Sequence, residues 1–152
     1  MKIKGKTPPA PKGKTVTFPR EEGDIQIKIR PVMDYETQFE AIYPEIKPPV
    51  RTEKDGSKTV LYDDPKFLER DADRDKRLTY WLIYASLEEV EFDNVDVSNV
   101  ETLDNVRTEL MSVLVAGEFQ YLVGEIQTVN LPSPEIIKDT IEAFAQARHL
   151  RE

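Results

Sequence analysis

Residues Asp63–Leu87 read DDPKFLERDADRDKRLTYWLIYASL, and the fold turns on this stretch. Asp64 followed by Pro65 is a helix-start signal. The aspartate side chain accepts from free backbone N–H groups, and proline at the first helical position gives up a donor that had no partner. The first half of the helix, Lys66 to Arg77, is crowded with charge. In the second half Leu78, Tyr80, Trp81, Leu82, Ile83, Tyr84, Ala85 and Leu87 put apolar or aromatic groups on every face at 100° per residue, and a helix apolar all round is buried. The expectation is a spine whose end is clasped by the rest of the domain and whose beginning stands in solvent.

The chain of 152 residues, 39% of them hydrophobic, suits one compact domain with a small core. It has no cysteine, which excludes disulfides and thiolate metal sites and suits a reducing, cytoplasmic setting. No run approaches the roughly 18 apolar residues of a membrane span, and the N-terminus lacks the apolar centre of a signal peptide. A soluble, unexported protein is expected. The net charge of −8 hides an asymmetry: Lys2, Lys4, Lys6, Lys12, Lys14 and Arg20 precede the first acid, leaving 15 basic against 29 acidic residues afterwards. Such an acidic body repels a phosphate backbone and argues against nucleic acid as partner.

Outward from the helix, residues 1–14 combine lysine, proline and glycine with little that is apolar, a composition that reads as a disordered basic arm. Residues 15–62 read as β-rich with a Pro-rich connector. Val16 and Phe18, then Ile25, Ile27 and Ile29, alternate with polar residues across a turn at Glu21–Gly23, which is a β-hairpin that Pro31 ends. Asp34 is placed to cap a short helix through Tyr43, with Tyr35, Phe39 and Ile42 on one side. Pro44–Pro49 must be extended and reads as a stiff connector more than as a docking peptide. Asp55–Gly56 then supplies the turn of a second, exposed hairpin or flexible loop.

Beyond the spine, Glu88 to Asn99 alternates apolar residues with acids and reads as a long loop laid over the core. Leu103, Val106, Leu110, Val113 and Leu114 form one helical stripe, and Phe119, Leu122, Val123, Ile126 and Val129 a second, with a break near Gly117 or a kink there. Ser133 and Pro134 start a last helix carrying Ile137, Ile141, Phe144 and Ala145, with Arg148, His149 and Arg151 at its end. The fold class expected is α+β: N-terminal hairpins, then a mainly α-helical bundle around a central helix, with residues 63–148 as its helical core.

The chemistry is mostly exclusion. Asp71, Asp73 and Asp75 begin like a calcium loop, but the glycine and glutamate required at its sixth and twelfth positions are here Lys76 and Leu82. A solvated helix surface with opposite charges such as Arg70, Asp73 and Arg77 side by side is the better reading. One histidine without thiolates builds no zinc site, and nucleotide-binding and zinc-protease fingerprints are missing. Pairs such as Glu88 with Glu89, or Asp93 with Asp96, sit in a polar stretch where nothing tunes them for acid–base work. The expectation is a non-enzyme with no metal and no cofactor.

Five stretches, GDIQIKIRPVMDY, PEIKPPVRT, YDDPKFLERDADRDKRLTYWLIYASL, VEFDNVDVSNVETL and VNLPSPEIIKDTIEAF, in this order resemble a group of small tailed-bacteriophage proteins, the tail assembly chaperones. The resemblance runs from about Asp24 to Gln146. The chain departs from the family pattern at Leu103, where a tryptophan is common, and at Ala116–Phe119. The resemblance implies a non-catalytic protein of the host cytoplasm that binds the tape measure protein and helps recruit tail tube subunits. Charge and hydropathy add the expectation of no nucleic acid or membrane among its partners, and the basic N-terminal arm is a candidate for self-association. A tail or head–tail connector subunit retained in the virion is the alternative. On the residues themselves, an apolar groove for an amphipathic helix would be lined by Leu110, Leu114, Phe119, Leu122 and Ile126, although helix stripes are core first. Arg70, Arg74 and Arg77 are the polar candidates for the partner surface.

Overall fold

The computed structural model describes residues 1–9 and 11–131. The fold is α+β, with antiparallel strands first and helices after: β1 (Lys14–Phe18), β2 (Ile25–Ile29), α1 (Tyr35–Ile42), β3 (Val50–Thr52), β4 (Lys58–Val60), α2 (Pro65–Ser86), β5 (Leu87–Glu88), a 3₁₀ helix (Val100–Leu103), α3 (Asp104–Met111) and α4 (Ala116–Asn130). The expected last helix, from Ser133 through Ile137, Ile141, Phe144 and Ala145 to Arg148, His149 and Arg151, lies outside the described residues. The described chain divides into two compact units: residues of Met1–Pro31 with Ser86–Glu89 and 116–131, and Val32–Ala85 with Val90–Val115. Among the described residues, no helix is long and apolar enough to cross a membrane.

In the first unit, β1 and β2 pair antiparallel with Val16 opposite Ile27 and Phe18 opposite Ile25. Period-two alternation sends Val16, Phe18, Ile27 and Ile29 inward, all buried, while Thr15, Thr17, Gln26 and Lys28 face out. The strand β5 extends this sheet beyond β2, pairing Leu87 with Ile29 and Glu88 with Lys28. This strand stands where the sequence suggests the start of a loop. Two residues are too few to show a period, and β2 supplies the missing template. Ion pairs Arg30–Glu88 (2.6 Å) and Lys28–Glu89 (3.5 Å) border the junction. Leu122 and Ile126 of α4 are buried in the same unit. Ser86 is fully buried and is satisfied by Asn130, whose amide donates to its hydroxyl at 2.9 Å. Gly13 precedes β1 because a Cβ there would come within 2.6 Å of the Ile29 carbonyl oxygen.

In the second unit, Asp64 caps α2 as expected: its carboxylate accepts from the Phe67 N–H at 3.0 Å, and Pro65 opens the helix. Trp81, Leu82 and Ile83 are buried, while Leu78, Tyr80 and Tyr84 are half-buried and Ala85 is exposed. The apolar half is thus not covered on every face. The rest of this core is Phe39, Leu103, Val106, Leu110 and Leu114. Phe39 lies 5.8 Å from Trp81 and 6.0 Å from Tyr43, ring centre to ring centre. The loop after β5 is clipped to α3, because Glu109 accepts from the Asp93 and Asn94 N–H groups and Asn105 donates to the Asn94 carbonyl.

Two local expectations change. Asp34 stands at the start of α1 but in the left-handed region (φ 48°) and makes no side-chain cap. Its carbonyl accepts from Gln38 N–H instead, since a side chain on a left-handed residue is not aimed at the first turn. The interruption between the two apolar stripes falls at Ser112–Val115, while Gly117 lies inside the first turn of α4. Ser112 ends α3 by turning its hydroxyl onto the Glu109 carbonyl at 2.5 Å, a local bond that competes with helix continuation.

Candidate protein-binding surface

The charged half of α2 carries two different kinds of cation. Arg74 is a fastener. Its Nε donates to the Tyr43 carbonyl at 2.9 Å, a terminal nitrogen meets Glu40 at 2.9 Å, and the guanidinium lies over the rings of Phe39 (5.1 Å) and Tyr43 (5.9 Å). With its side chain only 14% exposed, Arg74 ties α1 to α2 rather than facing a partner. The planar fork is what allows one side chain to bond two groups and stack at once.

Arg77 is likewise drawn inward, 3.5 Å from Asp73 and 4.0 Å from Asp104. Asp73 also accepts from the Tyr43 hydroxyl at 3.2 Å. Burial, and then that hydrogen bond to a carboxylate, push the Tyr43 phenol above its ordinary value, so it stays neutral and donates throughout the physiological range.

Arg70 is the exposed member of the three. It stands with Lys66, Glu69, Ala72, Asp73 and Lys76 along an open groove of about 820 Å³ that Tyr43 also lines. Lys66 to Lys76 recur at the spacing of one helix face, and α1 contributes the tyrosine at its end. Asp73 is occupied by Arg77 and Tyr43, and Lys76 has Asp73 and Asp104 at 3.9 and 3.8 Å. Lys66 and Arg70 form no ion pair with another described residue, so the groove presents two available cations in an otherwise acidic chain.

The apolar candidates are corrected. Leu110, Leu114, Leu122 and Ile126 are between 0% and 4% exposed and belong to the cores of their own units, and Phe119 is half-buried. A stripe states that a helix has a covered side but not what covers it, and here the chain itself does. Lys66, one turn before Arg70, falls in the charged half-helix that the sequence already offers, whereas Tyr43 was not legible as part of this surface, since it lies 27 residues from Arg70 in sequence, just past the end of α1. Among the described residues no group of three or more His, Cys, Asp or Glu is placed to hold a metal ion.

No protein-family model matches the sequence, and no curated protein or solved structure is significantly similar to it.

Proposed function

We propose that this protein is a tail assembly chaperone of a tailed bacteriophage. In the host cytoplasm it binds the tape measure protein and helps recruit tail tube subunits, without catalysing a reaction. The ordered resemblance across Asp24–Gln146 supplies the class of partner. The observation that carries a binding role is the open groove along α2, in which Lys66 and Arg70 form no ion pair with another described residue. An amphipathic helix laid in that groove would set small apolar residues on Ala72 and the Tyr43 ring and acidic residues on Lys66 and Arg70. Helix-in-groove recognition works through such spaced anchors.

Co-expression with the tape measure protein encoded in the same genome tests this. The two chains should co-purify in moderate salt, and the double variant Lys66→Glu with Arg70→Glu should abolish the complex while leaving the circular dichroism spectrum unchanged. Failure of the unmodified pair to co-purify at low and moderate salt refutes the proposal. Mass spectrometry of purified virions should lack this chain, and its stoichiometric presence would make it a retained subunit instead.

A further inference from the structure

The β3–β4 hairpin is a two-stranded sheet whose six strand residues are all exposed. Its backbone geometry follows from the register, Val50 opposite Val60, Arg51 opposite Thr59 and Thr52 opposite Lys58. Leu61 N–H donates to the Pro49 carbonyl at 2.9 Å and Glu53 N–H to the Ser57 carbonyl at 2.7 Å. Antiparallel pairs alternate between bonded and non-bonded, so Arg51 and Thr59 are the inward-bonding pair between those two. Val50, Thr52, Lys58 and Val60 therefore turn their N–H and C=O groups away from the hairpin. Among the described residues these outward groups have no other backbone partner.

The two edges are not equal. Pro48 and Pro49 lead into β3 and offer no N–H, which spoils that side as a template. The β4 edge runs through Lys58, Thr59, Val60 and Leu61 without a proline. The two faces differ as well. Arg51 (2.9 Å) and the Thr59 hydroxyl (2.8 Å) both bond Glu53 and close one face. On the other, Val50 and Val60 stay 55% and 40% exposed, and Lys58 enters no ion pair with another described residue.

We propose that the β4 edge takes up an extended segment of another protein as a third, antiparallel strand, with an apolar side chain opposite Val60 and an acidic one opposite Lys58. The two residues supply four backbone hydrogen bonds, the means by which strand addition gains affinity. A two-stranded hairpin is marginal in water and is stabilised by a third strand. Lysine on an edge blocks indiscriminate pairing, and here its unmatched charge selects an acid. A second copy of the chain is a poor occupant: pairing β4 with its counterpart would face each Lys58 with a valine and bring the two lysines to diagonal positions, like charges with no acid between them.

Strand addition is tested without any tape measure protein. Acetyl-Thr-Val-Thr-Glu-Thr-amide is titrated into the full chain while amide exchange is followed by NMR. At saturation the Lys58 and Val60 amides should exchange at least tenfold more slowly, and a peptide with lysine for the glutamate should have no effect. Val60→Pro removes an outward N–H and keeps the inner ladder, so the response should vanish while the Thr59 amide is unchanged. Lys58→Glu should reverse the preference to the lysine peptide. No slowing, or equal slowing by both peptides, overturns the proposal. Slowing that grows with protein concentration in the absence of peptide would assign the edge to a second copy and overturn it too.

Discussion

Replacing Arg74 by methionine keeps the apolar stem and removes the guanidinium, and its cost can be worked from the contacts. Hydrogen bonds to charged groups contribute about 1.5–3 kcal/mol, and the bond from Nε to the Tyr43 carbonyl is one, made by a side chain 14% exposed. Stacking of the cation on Phe39 at 5.1 Å adds about 0.5–2 kcal/mol. Glu40 is 51% exposed, so its share is under about 1 kcal/mol and falls with salt. The expected loss is about 3 kcal/mol, equivalent to a fall in Tm of roughly 6–12 °C. Urea titration read by fluorescence reports it directly, because Trp81 is the only tryptophan and lies against Phe39 in the same unit. Arg74→Lys should recover only part, since an ammonium cannot fork and stack together. A loss below about 0.5 kcal/mol for Arg74→Met would refute the view of this residue as a fastener.

Trp81→Ala should cost about 3–5 kcal/mol by circular-dichroism melts, since the side chain is 5% exposed, and a change under about 1 kcal/mol would mean that it is not central to the core. Leu110→Ala should lose about 2–5 kcal/mol as a core residue, whereas Arg70→Glu should shift stability by less than about 0.5 kcal/mol; equal losses in urea melts would overturn the division between core and surface. Gly13→Ala pushes a Cβ against the Ile29 carbonyl and should destabilise the first unit by about 1–3 kcal/mol, visible as faster amide exchange in β1 and β2. The hydrogen bond from Lys14 holds the Glu125 carboxyl below its ordinary 4.5, and the same bond raises Lys14 above 10.5. Their contribution is therefore complete between those two values. It fades as pH falls through the lowered carboxyl value or rises through the raised ammonium value. Glu125→Gln should remove the acid-side change in β1 amide shifts, and an unaltered profile would show the pair to be inert.

Much of this could be read along the chain because it is local. The Asp64 cap, the Pro65 start and the turn at Gly56, where φ is 87°, depend on residues within a few positions. The β1–β2 alternation needs only one covered face to be legible. Asp34 shows where local reading fails, since its residue type fits a cap but its left-handed backbone does not. Gly117 is similar: glycine is a common place for a helix to break, yet the competing bond at Ser112 ends α3 five residues earlier.

The candidate surface was legible as a charged half-helix, but not in its parts. Arg70, Arg74 and Arg77 are one residue type on one helix, and only their neighbours divide them. Tyr43 and Glu40 fasten Arg74, Asp73 and Asp104 draw Arg77 inward, and Arg70 alone stays on the groove. Likewise the stripes at Leu110, Leu114, Leu122 and Ile126 state that those helices have a buried side. Periodicity is a property of one element, while the identity of the covering surface is a property of pairs of elements distant in sequence. The α+β class and its punctuation follow from residue chemistry over short spans. Which cations remain available, which apolar groups become core and which strand edge stays open are settled only when distant segments meet, because burial and charge pairing belong to the contact and not to the residue.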